Sequence, residues 1–310
     1  MNMITNTQSE MAYQYGQKLK KIMEQISQYP VDYEAESRSG EKVNWNLLDK
    51  EGYHFEQMSF QNCKGMMLVN NENAETDKIV MLLHGGANFQ GLEDKYLRMA
   101  QNYSKAYQNA KVLLVDFRLK PKYLYPAMLE DSIDAYQSLL EKGFRGENIV
   151  LAGDSAGGAL SIECAMYLRD HSIEMPCAII TMSAVTDYTQ SGKSWQTNAD
   201  ADVMLGNHVN PALFKLPCVD PIPLEDPMYS PMFAKKEGLP RMLMIAAGAE
   251  RPLNDTLDFA KAAKKEGVDV TVEIYYGLFH VFPIAPDLPE SKIAWEHIHA
   301  FLEDESCDCL

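Results

Sequence analysis

The clearest pattern in the chain is a set of short, wholly apolar runs that stop at glycine or polar residues. One of them reads Lys78-Ile79-Val80-Met81-Leu82-Leu83 and ends at His84-Gly85-Gly86. A run of this length with no polar face predicts a strand buried on both sides and feeding a loop, as in a parallel sheet. Residues 111–115, 148–152, 177–180 and 242–246 repeat the pattern, 270–274 completes the set of strands with Thr271 and Glu273 inside it, and 53–60 and 66–70 read as further β segments. Helical spacing lies between the runs, most clearly over 127–142 and 256–266. Strand followed by helix, repeated, predicts an α/β protein with a mostly parallel central sheet flanked on both faces by helices.

Two stretches fall outside this rhythm. From Glu10 to Tyr29 the apolar positions Met11, Tyr15, Leu19, Ile22, Met23 and Ile26 recur at helical intervals, which predicts an amphipathic helix packed on the body. It is too short of basic residues to read as a membrane-surface helix. Residues 187–231 begin polar and then carry Pro211, Pro217, Pro221, Pro223, Pro227 and Pro231. That length without regular pattern predicts a functional insertion, and Trp195, Met204, Leu205, Phe214 and Leu216 give it apolar surface to bury. The expected organisation is an N-terminal helical region over 1–50 contributing to a cap and a core split into 51–186 and 232–310. The second cap component would be the 187–231 insertion.

Composition narrows the function. With 46% hydrophobic and 23% charged residues over 310 positions, the chain can bury a sizeable core. Its 44 acidic and 28 basic residues leave a net charge of −16, which repels nucleic-acid phosphates and anionic membranes and favours a small neutral ligand. No stretch reads as a secretory leader or a bilayer span, so no stable membrane insertion is expected and the location is expected to be cytoplasmic. The six cysteines have neither zinc-ligand spacing nor the density of a disulfide framework, and are read as reduced thiols with no metal. Cys307 stands fourth from the end as in a prenylation box, but Asp308 follows it and no polybasic segment precedes it, so the tail is read as solvated.

The strongest chemical signal is Gly153-Asp154-Ser155-Ala156-Gly157, placed between an apolar strand and a helical run beginning near Gly158. A serine at such a sharp strand-to-helix turn projects its hydroxyl outward, and small neighbours let backbone and substrate approach closely. An ordinary glycine turn or a phosphate loop is the bland alternative, but the Walker lysine and a dinucleotide fingerprint are both missing. Upstream, His84-Gly85-Gly86-Ala87 follows a buried strand. The amides of Gly85 and Gly86, with that of Ala156 after the serine, are the expected donors to the oxygen of a tetrahedral intermediate.

Several motifs occur in one order: His84-Gly85-Gly86; Asp116-Phe117-Arg118-Leu119 with Tyr125-Pro126-Ala127; Gly153 to Gly158; Ser230-Pro231-Met232-Phe233; and Gly277-Leu278-Phe279-His280-Val281-Phe282. In this the chain resembles the bacterial hormone-sensitive-lipase-like carboxylesterases of the α/β-hydrolase superfamily, from about the second strand onward. The resemblance implies an α/β-hydrolase fold with a cap, and a serine carboxylesterase acting on short acyl esters, acetyl esters among them, without a cofactor. The family has a third glycine where this chain has Ala87, which places a methyl group where the loop must approach the acyl group.

The same resemblance implies the order nucleophile, acid, base. His280, in a loop after the final strand, is the expected base, and His84 a brace for its loop. The acid falls within Gly248-Ala249-Glu250-Arg251-Pro252-Leu253-Asn254-Asp255. Glu250 is the choice and Asp255 the alternative, since Asp255 also suits the start of a helix. Asp154, Asp116 and Arg118 read as structural. Candidate pocket residues are Ala87, Trp195, Leu205 and Phe214. A catalytically silent ligand-binding protein and an amidase or deacetylase are the competing functions on this scaffold, and a homodimer is left open.

Overall fold

The computed structural model describes residues 8–209 and 220–304. Eight strands form one sheet in the order β1-β2-β4-β3-β5-β6-β7-β8. They are β1 (Tyr53–Ser59), β2 (Lys64–Asn70), β3 (Ile79–Leu83), β4 (Lys111–Asp116), β5 (Ile149–Asp154), β6 (Ala178–Met182), β7 (Arg241–Ala247) and β8 (Val270–Tyr275). β2 is antiparallel to both β1 and β4, and every other pair is parallel. Each apolar run of the sequence is one of these strands.

Alternate side chains of the central strands enter two separate cores, as the period of two in a strand requires. Met81, Leu113, Leu151, Ile179 and Met244 pack against one layer of helices: α4 (Ala127–Glu141), α5 (Ser155–Asp170) and α7 (Leu253–Lys265). Val80, Leu114, Val150, Ile180 and Ile245 face α3 (Asp94–Ala106) and α8 (Pro289–Glu303) on the other side. Both faces are therefore dry, which explains why these strands carry no polar alternation.

The N-terminal amphipathic pattern is α1 (Glu10–Ile26), followed by the short α2 (Tyr33–Ser37). The Ser9 hydroxyl caps α1 by accepting from the Ala12 amide at 3.1 Å, and the same hydroxyl donates to Glu290 of α8 at 3.0 Å. Within 187–231, the described residues hold one short α-helix, α6 (Ser194–Thr197), among turns. No helix among the described residues is long and apolar enough to cross a membrane.

Candidate active site

The loops that carry chemistry lie at the C-terminal ends of β3, β5, β7 and β8, where an open parallel sheet offers its binding crevice. β5 ends at Asp154 and α5 begins at Ser155 with no residue between, so the chain must reverse within one residue. Ser155 takes that turn with φ 51°, a left-handed conformation costly for a residue with a Cβ. Glycine makes the turn sterically feasible. A Cβ at Gly157 would overlap the carbonyl oxygens of Leu83 and His84, and one at Gly153 would overlap the Gly157 carbonyl. Helix α5 thus starts directly against the end of β3.

His280 comes from the loop after β8 and is 4% exposed. Its Nε2 lies 2.9 Å from Ser155 Oγ and its Nδ1 lies 2.7 Å from Glu250 Oε2. The Glu250 carboxylate is fully buried, and its other oxygen accepts the Ala247 amide at 2.9 Å. Burial alone would pull the His280 pKa down, but the hydrogen bond and charge of Glu250, with Asp202 and Asp154 further off, outweigh it. The imidazole pKa is therefore raised above its ordinary 6.5.

Asp255 meets different partners. Its carboxylate accepts the Trp195 indole N–H at 2.8 Å and the Asp187 amide at 3.2 Å. Burial pushes its pKa up to about 8 against those hydrogen bonds. Of the two acids read from the sequence, the structure brings Glu250 to the histidine and leaves Asp255 binding Asp187 and Trp195 to the start of α7. His297 and His299 lie on α8, where their Nδ1 atoms meet Glu273 and the Ala106 carbonyl.

The loop after β3 corrects one expectation. The amide of Gly85 donates to Asp154 Oδ1 at 2.9 Å, so it is not available to a substrate oxygen. A Cβ at Gly85 would also overlap that carboxylate, which shows how closely the two segments abut. Among the described residues, the amides of Gly86, Ala87 and Ala156 are given to no other group. His84 sets the direction of one of them. Its Nδ1 donates to the Gly85 carbonyl at 2.8 Å, and in a trans peptide the N–H of Gly86 then points the opposite way. Burial holds the His84 pKa down at about 4, so this ring stays neutral, with an unpartnered Nε2 stacked with its ring on Phe117. Gly86, Ala87 and Asn88 follow in succession with φ of 104°, 51° and 62°.

Sequence reasoning misses the residues that hold these loops. Asn198 donates to the carbonyl oxygens of Glu250 and Gly248 at 2.8 and 3.2 Å. Asp202 accepts the Arg251 amide at 2.7 Å and the Met204 and Leu205 amides at 2.9 and 3.0 Å. Ser183 Oγ accepts the Val281 amide next to His280 at 2.9 Å. None belongs to a motif, and their signal is purely spatial. Of the candidate pocket residues, Ala87 is half-buried beside the donor amides. Trp195 is 7% exposed and bound to Asp255, and Leu205 is half-buried with its carbonyl on Arg251. Phe214 lies outside the described residues.

Known proteins share this fold. The profile of a family described as having the alpha/beta hydrolase fold matches residues 80–284. An esterase of Acinetobacter venetianus is 30% identical over 74% of this chain and 75% of its own length. An acetyl-hydrolase of Streptomyces hygroscopicus is 32% identical over 73% of this chain and 75% of its own. The crystal structure of an esterase from the bacterial hormone-sensitive lipase family superposes with a TM-score of 0.78 at 27% identity, covering 93% of this chain and 96% of that one. The chain belongs to the α/β-hydrolase-fold family, in its bacterial hormone-sensitive-lipase-like branch. It is a serine carboxylesterase.

Proposed function

We propose that Ser155 is the nucleophile, His280 the general base and acid, and Glu250 the carboxylate that orients it, acting on neutral short-chain acyl esters such as acetyl esters. The unbroken line from Ser155 Oγ through both His280 nitrogens to Glu250, at 2.9 and 2.7 Å, carries this reading. Ser155 Oγ attacks the acyl carbon while its proton passes to His280 Nε2. The tetrahedral oxyanion is received by the amides of Gly86, Ala87 and Ala156 at the N-terminus of α5. His280 then gives the proton to the leaving alkoxide, and the ester bond breaks to leave acyl-Ser155 and an alcohol. Water, deprotonated by the same nitrogen, releases the carboxylic acid.

The short-acyl preference rests on Ala87, which brings a methyl group beside the donors, and on the name of the Streptomyces relative. The preference for neutral esters rests on the net charge of −16. The cap is assigned to α1 with its N-terminal region and to residues 187–231. Both reach the catalytic loops: Tyr15 of α1 stacks on Phe279 at 5.3 Å, and Asn198 holds the Glu250 loop.

Ser155→Ala tests the reading directly. Turnover of an acetyl ester is expected to fall by on the order of 10⁶-fold, with the melting temperature kept. A fluorophosphonate should label the parent protein once per chain at Ser155 and leave the variant unlabelled. A folded variant that still turns over, or labelling at another residue, refutes the assignment.

A further inference from the structure

Beside the oxyanion loop lies a buried ionic cluster that plays no part in the chemistry above. Lys120, on the loop after β4, is ion-paired through its ammonium with Asp220, the side chains being 6% and 5% exposed. Asp220 is where the described chain resumes after residue 209, at the returning end of the insertion. Its carboxylate also accepts the Tyr229 hydroxyl at 2.6 Å and the Tyr125 amide at 2.9 Å, while Lys120 Nζ lies 3.2 Å from the same Tyr229 hydroxyl. Glu163 of α5 is buried close by. Burial drives its pKa well above the carboxylate range, leaving Asp220 as the ionised partner of Lys120. An ion pair so far from water contributes little net stability over an apolar pair of the same size, but it fixes geometry tightly.

What it fixes leads to the oxyanion loop by two routes. The Tyr229 ring, held by its hydroxyl, stacks on Tyr188 at 4.5 Å, and the Tyr188 hydroxyl accepts the Asn88 side-chain amide at 3.3 Å. The second route is backbone: the Lys120 amide donates to the Asn88 carbonyl at 2.9 Å. Asn88 closes the run of three left-handed residues that begins at Gly86. Such a run persists only where its surroundings over-determine it. On one side Asp154 and His84 fix Gly85. On the other, Asn88 is fixed by Tyr188 and Lys120.

We propose that Lys120, Asp220 and Tyr188 are positioning residues for the oxyanion loop, holding the Gly86 and Ala87 amides on the transition state through Asn88. Through Asp220 the cluster ties the returning end of the 187–231 stretch to the oxyanion loop. This rests on the oxyanion role proposed for Gly86 and Ala87.

The test uses Tyr188→Phe, which removes one hydroxyl and keeps the stack, with Asp220→Asn and the double variant. Losing an oxyanion donor outright costs about 10²–10³-fold in kcat, so loosening the loop is expected to cost roughly tenfold, with KM for an acetyl ester held within about twofold. A trifluoromethyl ketone, which forms a tetrahedral adduct with its oxygen in the hole, should lose affinity in parallel. The double variant should be little worse than the worse single, since both cut one chain of contacts. If Tyr188→Phe lowers the melting temperature but leaves kcat and ketone affinity unchanged, the cluster is structural only and the proposal is overturned. Tyr188→Phe decides the matter by itself even if Asp220→Asn fails to fold. Fluorophosphonate labelling of Ser155 in the parent protein separates the outcomes: if it fails, the catalytic reading falls, whereas labelling with an unaltered Tyr188→Phe kcat removes only the positioning role.

Discussion

At the scale of single residues, two carboxylates five positions apart divide the work by environment. Glu250 hydrogen-bonds His280 and leaves its other oxygen to the Ala247 amide, whereas Asp255 is occupied by Trp195 and Asp187. The sequence separates them only by the fit of Asp255 to a helix start, because their real difference is which buried partner each meets. Ser155 and His280 stand out in the sequence because each sits in a local motif, whereas the amide bond of Gly85 is not visible there because its partner, Asp154, lies 69 positions away. The raised His280 pKa has a direct consequence. As the base proposed above, His280 works only as neutral imidazole, so kcat/KM falls as pH drops through that pKa, and the acid limb is expected to have its inflection above 6.5. In Glu250→Gln the burial that lowers the pKa remains while the main group raising it is gone, so the inflection should move to lower pH. The rate on the plateau should fall by about 10³–10⁴-fold. A pH profile of both proteins checks the sign, and an inflection that does not move would remove Glu250 from His280.

At the scale of elements, the central strands are readable because burial on both faces writes itself as an uninterrupted apolar run, while β1 shows only as an alternating segment. Helix α3 is not. Its Tyr96, Met99, Ala100 and Tyr103 form an inward stripe, but polar residues between them dilute it and no cap side chain marks its start. Helix α5 begins at Ser155, three residues before the glycines suggest, because the turn spends no residue between strand and helix. That economy predicts a sharp cost for filling the elbow. A Cβ at Gly157 has backbone oxygens of β3 and its loop on its path, and no rotamer can relieve a clash with main chain. Gly157→Ala is therefore expected to destabilise the protein by about 4 kcal/mol or more, the range in which buried steric overlap lies. Urea unfolding of the two proteins measures it. A loss below about 1 kcal/mol would mean that α5 can slide away from β3 and that the elbow is softer than its contacts imply.

At the scale of the whole molecule, described segments outside the strand–helix rhythm touch the catalytic loops. The bracing by residues of the 187–231 stretch is not legible, since its contacts to the Glu250 loop run through isolated polar side chains such as Asn198 and Asp202. At the other end of the chain, α1 lays Tyr15 on Phe279, and Glu36 of α2 accepts the Gly91 amide, beyond the oxyanion loop, at 3.1 Å. If these segments form the wall of the acyl site, Leu205→Ala or Tyr15→Ala should shift the butyrate-to-acetate ratio of kcat/KM by roughly fivefold, the worth of about 40 Å² of apolar contact. An unchanged ratio in both variants would reassign the cap to folding alone. Charge acts at longer range. The chain carries a net −16, and within the site Asp154, Asp202 and Glu250 lie near His280. An ester bearing a remote carboxylate approaches against this field, while its uncharged analogue of equal size does not. Raising the ionic strength from about 0.01 to 0.15 M shortens the screening length from about 30 to 8 Å. The kcat/KM of the anionic ester is expected to rise by about threefold or more over that range, with the neutral one flat. Equal responses from the two esters would show that the field does not reach the mouth of the site, and the preference for neutral substrates would then have to come from contacts inside it.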